Sequence, residues 1–315
     1  PGRWRPRRVD ASCLVKIHTG PGSAGQELCE PLDMQDCLSM AVAGAGSRAV
    51  RLRHGIVDER VVVKRMAGGP VASWPALVAL QPHVLAPCAE VVLGEEPWAA
   101  GDCYMAYAYC EHGTLAEWIA ARRAEGKDAS LEESVRIVVG VLDAASALLS
   151  SGLGVTFLRA DEVFINAAGE PRVRLRHDAL APGSLGGDAA KWLSPAEVSE
   201  GVSAGWPAAA FRAGLFLYCL GAGIADPYPH KRGELVLLDL RREVSGEGRP
   251  VRPDTSRYAG PPELRELMEA CLSPQEEHRP TEQGLLQALR AITLLKQGQA
   301  MTVEEAALPP WMIEL

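Results

Sequence analysis

Asparagine occurs once in the chain, as Asn166, and is followed by two alanines. No N-x-S/T acceptor therefore exists, and N-glycosylation is excluded. The eight cysteines include no C-x-x-C pair and have no histidine at zinc-ligand spacing beside them. That excludes zinc-ribbon, zinc-finger and thioredoxin-type motifs. The longest apolar runs, such as GLFLYCLGAGIA at 214–225, fall short of a membrane span. A surplus of positive charge is also missing. The chain has 32 Lys and Arg against 40 Asp and Glu, a net charge of −8 and a pI near 5.5. General nucleic-acid binders need a basic surplus to meet phosphates, so that class is disfavoured. The basic run RWRPRR at 3–8 is local and reads as a solvated tail. No secretory signal is visible.

What is present is ordinary for a folded protein: 47% hydrophobic and 23% charged residues over 315 positions. That length can bury one large core or two lobes. Cys13, Cys29, Cys37, Cys88, Cys103, Cys110, Cys219 and Cys271 are expected to be free thiols in a reducing, cytoplasmic compartment. Several of them sit in apolar runs, FLYCLG and MEACLS, where a reduced cysteine packs as a small hydrophobe.

The pattern changes along the chain. Residues 1–38 are irregular and rich in Pro and Gly, and read as an extension outside the fold. Residues 39–108 read as short β runs: AVRLRHG, RVVVKRM, EVVLG and CYMAYAYC, with a short helix within 70–83. Beyond about 114 the periodicity is helical. TLAEWIAARRAEG has a Thr cap and stops at Gly. SLEESVRIVVGVLDAASALLSSG opens with Ser130 and, three residues on, Glu133, the signature of a capping box. PAAAFRAGLFLYCLGAG is apolar nearly all round and is expected to be a buried helix. PPELRELMEACLS and TEQGLLQALRAITLLKQG are amphipathic. The expected fold class is α+β, with a small β-rich part followed by a larger helical part.

Four motifs in order resemble the protein kinase family over residues 39–296. VVVKRM resembles the strand that carries the phosphate-pairing lysine, here Lys64. YCEHGTLAEWI resembles the inter-lobe hinge and the helix after it. KWLSPAEV resembles the end of the activation segment, and CLSPQEEHRPTEQGLLQAL the C-x-x-x-x-P-x-x-R-P stretch of the large lobe. The resemblance implies a bilobal fold, with an N-lobe over 39–108, a hinge and C-lobe over 109–296, and a tail over 297–315.

Set against that family, the catalytic positions are degraded. Active members read H-R-D-L-x-x-x-N in the catalytic loop. Aligning Leu158 with the Leu of that motif puts Phe157 at the proton-accepting Asp and Glu162 at the metal-holding Asn. His177 falls at the metal-binding Asp of D-F-G, although a one-residue shift would bring Asp178 there. Imidazole suits Mg²⁺ poorly. GAGSRAVRL offers Gly44 and Gly46 to a glycine-rich loop but has Ala49 at the third glycine. Residues 66–89 contain no Asp or Glu to pair with Lys64, which is either a nucleotide contact or a lysine exposed on a strand. Ala209 stands where the family braces the catalytic loop with an Asp. Glu197 and Arg279 resemble the family's structural ion pair.

These positions imply a pseudokinase: an interaction scaffold or allosteric regulator without phosphoryl transfer, needing no metal and binding little or no nucleotide. The expected partners are proteins, such as a kinase, another signalling protein or a second copy of the chain. Neither nucleic acid nor a membrane span is expected. The alternative is a divergent nucleotide-dependent kinase or transferase that uses Lys64 and Asp178 in altered roles. The apolar stretch AALPPWMIEL, 306–315, is expected to fold back on its own lobe or to dock on a partner.

Overall fold

Among the described residues, strands fill the chain up to Ala108 and helices dominate from Leu115 on, so the architecture is mixed, of the α+β kind. The computed structural model describes residues 7–10, 14–18, 28–31, 50–54, 57–66, 84–85, 87–92, 103–151, 158–174, 187–200 and 205–296. The chain divides into two units, Pro1–Tyr109 and Cys110–Leu315.

The first unit is built on one seven-stranded sheet. Its strands are β1 (Arg7–Asp10), β2 (Leu14–His18), β3 (Leu28–Pro31), β4 (Val50–His54), β5 (Val57–Met66), β6 (Pro87–Val92) and β7 (Cys103–Ala108), in the order β1-β6-β7-β5-β4-β2-β3. β5 is the longest, VDERVVVKRM, and its β-branched run suits a central position. It pairs antiparallel with β4 on one side and β7 on the other. Val61, Met105 and Ala106 are completely buried there. Among the described strands, β1 alone runs parallel to its neighbour, β6.

Residues 1–38 therefore need correcting. They were expected to lie outside the fold, yet β1, β2 and β3 all pair within the sheet. Runs of four or five residues are too short to show a period. Their backbone groups find partners only in distant strands, which a local reading cannot see. The expected helix within 70–83 lies outside the described residues.

Among the described residues, the second unit is helical apart from one hairpin. Its helices are α1 (Leu115–Ala124), α2 (Leu131–Ser150), α3 (Pro195–Glu200), α4 (Trp206–Ala222), α5 (Gly233–Val244), α6 (Pro262–Cys271) and α7 (Glu282–Lys296). The hairpin joins β8 (Val163–Ile165) to β9 (Pro171–Val173). α1 and α2 both begin with reciprocal capping boxes, Thr114 with Glu117 and Ser130 with Glu133. Each box satisfies amide donors that a helix start otherwise leaves unpaired.

α4 forms the centre of this unit. Residues Ala208–Leu220 are all buried, as its apolar circumference requires. Two glycines let neighbours approach it. A β-carbon on Gly221 would run into the Tyr258 ring, and one on Gly214 would stand 2.8 Å from Leu272. No helix among the described residues is long and apolar enough to cross a membrane.

Cys110, Cys219 and Cys271 are buried free thiols. Burial, which disfavours the thiolate, pushes Cys110 up to about 11 and Cys271 up to about 12, and raises Cys219 well above its ordinary value. At pH 8 all three are then protonated, because a raised pKa keeps the neutral form. The native protein treated with iodoacetamide at pH 8 is expected to leave these three unmodified, and guanidinium-unfolded protein to be alkylated at all three. Peptide mass spectrometry reads the difference.

Candidate functional site

The stretch around Glu162 is built on the β8–β9 hairpin and the segment leading into α1. Asn166 starts the hairpin turn. Its side-chain oxygen accepts from the Ala168 and Glu170 amides at 3.0 and 2.9 Å, and Gly169 follows with a φ of +74°. The hairpin is fastened to the start of the second unit. His112 donates to the Ile165 carbonyl (3.1 Å), Ile165 donates to Gly113 (2.9 Å), and Glu111 accepts from the Ala167 amide (2.8 Å). Ala116, in the first turn of α1, donates to Ala160 (3.1 Å).

Held in this way, Glu162 lies at the root of the hairpin with only 1% of its side chain exposed. Arg174 Nε donates to one carboxylate oxygen at 2.7 Å, and Arg159 Nη2 donates to the other at 3.1 Å. The Arg174 amide also donates to the Glu162 carbonyl at 2.7 Å. The Arg174 guanidinium lies 5.1 Å from the Phe164 ring centroid, and Arg159 also meets Asp161 at 2.9 Å. Two cations thus neutralise one buried anion. Charged groups taken out of water are retained only in such arrangements.

A second buried ion pair lies nearby in sequence terms. Ser194 and Glu197 cap α3 reciprocally: the Ser194 amide donates to Glu197 Oε2 (2.8 Å), and the Glu197 amide donates to Ser194 Oγ (3.2 Å). The other oxygen, Oε1, accepts from Arg212 Nη2 in a short contact. Arg212 is fully buried on α4, and its Nη1 donates to the Leu158 carbonyl at 3.1 Å. One guanidinium therefore joins the start of α3 to the residue that opens the Glu162 turn.

This corrects the expected Glu197–Arg279 pair. Glu197 has its oxygens divided between the Ser194 amide and Arg212. Arg279 instead donates to two carbonyls, Ser273 (3.0 Å) and Pro207 (3.1 Å), and lies 3.9 Å from Glu276. Its guanidinium stands 5.1 Å from the Phe211 ring centroid, as does that of Arg252. Burial lowers the pKa of Arg279. Arg212 was missed by sequence reading, although a lone arginine in an otherwise apolar helix is itself a signal: a buried charge must have a partner.

The remaining expected positions divide as follows. Ala209 is buried on α4, one turn before Arg212. Lys64 lies on β5, opposite Met105 of β7 in the strand register. Phe157, His177, Asp178, Gly44, Gly46 and the stretch 306–315 lie outside the described residues. No group of three or more His, Cys, Asp or Glu suited to a metal ion occurs among the described residues. No protein-family model matches the chain, and no curated protein matches it.

Proposed function

We propose that the protein is a pseudokinase: a bilobal, protein kinase-like chain that binds protein partners and transfers no phosphoryl group. Glu162 carries this reading. In the alignment drawn from the sequence it stands where an active kinase holds a metal ion with an asparagine. Here the carboxylate is buried and bonded to Arg159 and Arg174. To take Mg²⁺ it would have to release an arginine. The order of strands before helices supports the reading, as does a capped, buried Glu197 ahead of the central helix. So does Arg212, which braces Leu158 from one turn beyond the position where the family places its aspartate. Features that hold the loops together are kept, while chemistry-bearing side chains are replaced. Removing catalytic groups that act as a unit costs factors of thousands or more in rate.

Thermal unfolding of the whole chain with and without ATP and Mg²⁺ tests this. A ligand at 100 times its dissociation constant would stabilise the native state by about 2.7 kcal/mol. The expected result is an unchanged midpoint. A shift that requires Mg²⁺ would overturn the reading and favour a nucleotide-dependent enzyme, with Lys64→Ala and Asp178→Ala as the next variants.

A further inference from the structure

β1 and β2 are five places apart in the strand order of the first unit, β1-β6-β7-β5-β4-β2-β3. Neighbouring strands lie about 4.8 Å apart, so a flat, open sheet would separate the two by about 24 Å. Yet Asp10 ends β1 and Leu14 begins β2. Consecutive Cα atoms are about 3.8 Å apart, so the chain between those two residues reaches at most about 15 Å. The sheet must therefore curl until β1 and β2 meet.

Strand direction decides how they meet. β1 runs parallel to β6. The pairings β6 with β7, β7 with β5, β5 with β4 and β4 with β2 are all antiparallel. An even number of reversals restores the direction, so β1 and β2 point the same way. Parallel strands lying side by side need a crossover of about a dozen residues or more. Only Ala11, Ser12 and Cys13 separate these two in the sequence. A side-by-side arrangement is excluded, and an end-to-end one remains. β6 then lies along the first half of that line, and β4 and β3 flank the second half.

We infer that β1 and β2 are two halves of one bent strand, which closes the first unit into a ring with β4, β5, β7 and β6, and that β1 is the strap of this ring. β3 is then an added strand on β2. Closing a sheet in this way removes the borders that an open sheet exposes. Closure rests on four register pairs, from Arg7 with Ala89 to Asp10 with Val92. They are parallel pairs, slightly weaker per residue than antiparallel ones. Among the described strands, β6 is the one partner of β1. Release of β1 therefore opens the ring and uncovers β6 in a single step, while the β5–β7 ladder, from Val61 with Ala108 to Met66 with Cys103, keeps its pairing.

Amide hydrogen exchange of β6, read by mass spectrometry on the full chain, tests the inference with two variants. The first is Arg8→Pro with Val9→Pro. Adjacent strand residues point their amides to opposite edges, so one of the two prolines removes a donor facing β6 whichever edge that is. β6 is expected to exchange at least about tenfold faster than in the wild type, as for amides whose covering strand has opened. Unchanged exchange would overturn the strap. The second variant inserts about twelve Gly and Ser residues between Asp10 and Leu14 and alters no strand. In a closed ring the native link already fits. Lengthening it from four to roughly sixteen Cα steps lowers the effective concentration of β1 at β6 by about eightfold, and β6 should exchange faster by up to that factor. In an open sheet the native link would be too short, so the insertion would relieve it and slow the exchange. Slower or unchanged exchange in this variant would overturn the closed ring. The insertion decides the matter even where the proline variant fails to fold, because every paired residue stays in place.

Discussion

Arg212→Ala is expected to destabilise the Cys110–Leu315 unit by about 3–5 kcal/mol, the range seen when one partner of a buried ion pair is removed. The reason lies in what remains. Glu197 is 3% exposed and would keep only the Ser194 amide as a partner, while the Leu158 carbonyl would lose its donor. Removing both charges at once is a different perturbation. Arg212→Met with Glu197→Leu fills similar volume with apolar atoms and leaves no orphaned charge, so the double variant is expected to cost much less than the sum of the single changes. Urea unfolding followed by far-UV circular dichroism gives all the values needed for the cycle. A loss under about 1 kcal/mol for Arg212→Ala would show that Arg212 does not hold α3 to the Leu158 segment.

Glu162→Ala is expected to cost about 2–3 kcal/mol, less than the loss at Arg212, although Glu162 has two arginine partners. Exposure accounts for the ranking. Arg159 and Arg174 keep 13% and 24% of their side chains in contact with solvent and can turn toward water once the carboxylate is gone. Arg212 has no exposed surface through which to do so. Glu162→Gln keeps one acceptor oxygen without the charge and should fall between wild type and alanine. The same unfolding measurement separates the three proteins. If glutamine and alanine cost the same, the charge rather than the hydrogen-bonding shape supports the turn. If neither variant is destabilised, the Arg159–Glu162–Arg174 cluster contributes nothing to stability.

Features governed by neighbours three or four residues apart were legible in the sequence. Ser130 and Glu133 announced the start of α2, and the structure forms that capping box. The apolar circumference of 206–222 announced a buried helix, and α4 is buried over Ala208–Leu220. Partner choice across the fold was not legible. Glu197 faced two candidate arginines, and nothing in the spacing of 197, 212 and 279 says which is nearer. That is decided by the packing of α4 against α3, which brings Arg212 to Glu197. β1 posed the same problem in another form, since its pairing partner, β6, lies some eighty positions further along. Of the expected site, Glu162 was named from the sequence, as a degraded metal-holding position. Its arginine partners were not, because Arg174 reaches it only once the hairpin has folded back.

The sheet order has a consequence for how chains behave toward one another. Its two outermost strands, β1 and β3, are four residues each. β1 reads RRVD, three charged residues in four. Short, charged borders offer few free amides and carbonyls to a neighbouring molecule and discourage strand-to-strand association. Shortening the chain to begin after Asp10 would leave the six-residue β6, PCAEVV, as the new border. That strand has one charged side chain and an apolar end, so β1 covers a border that would favour association.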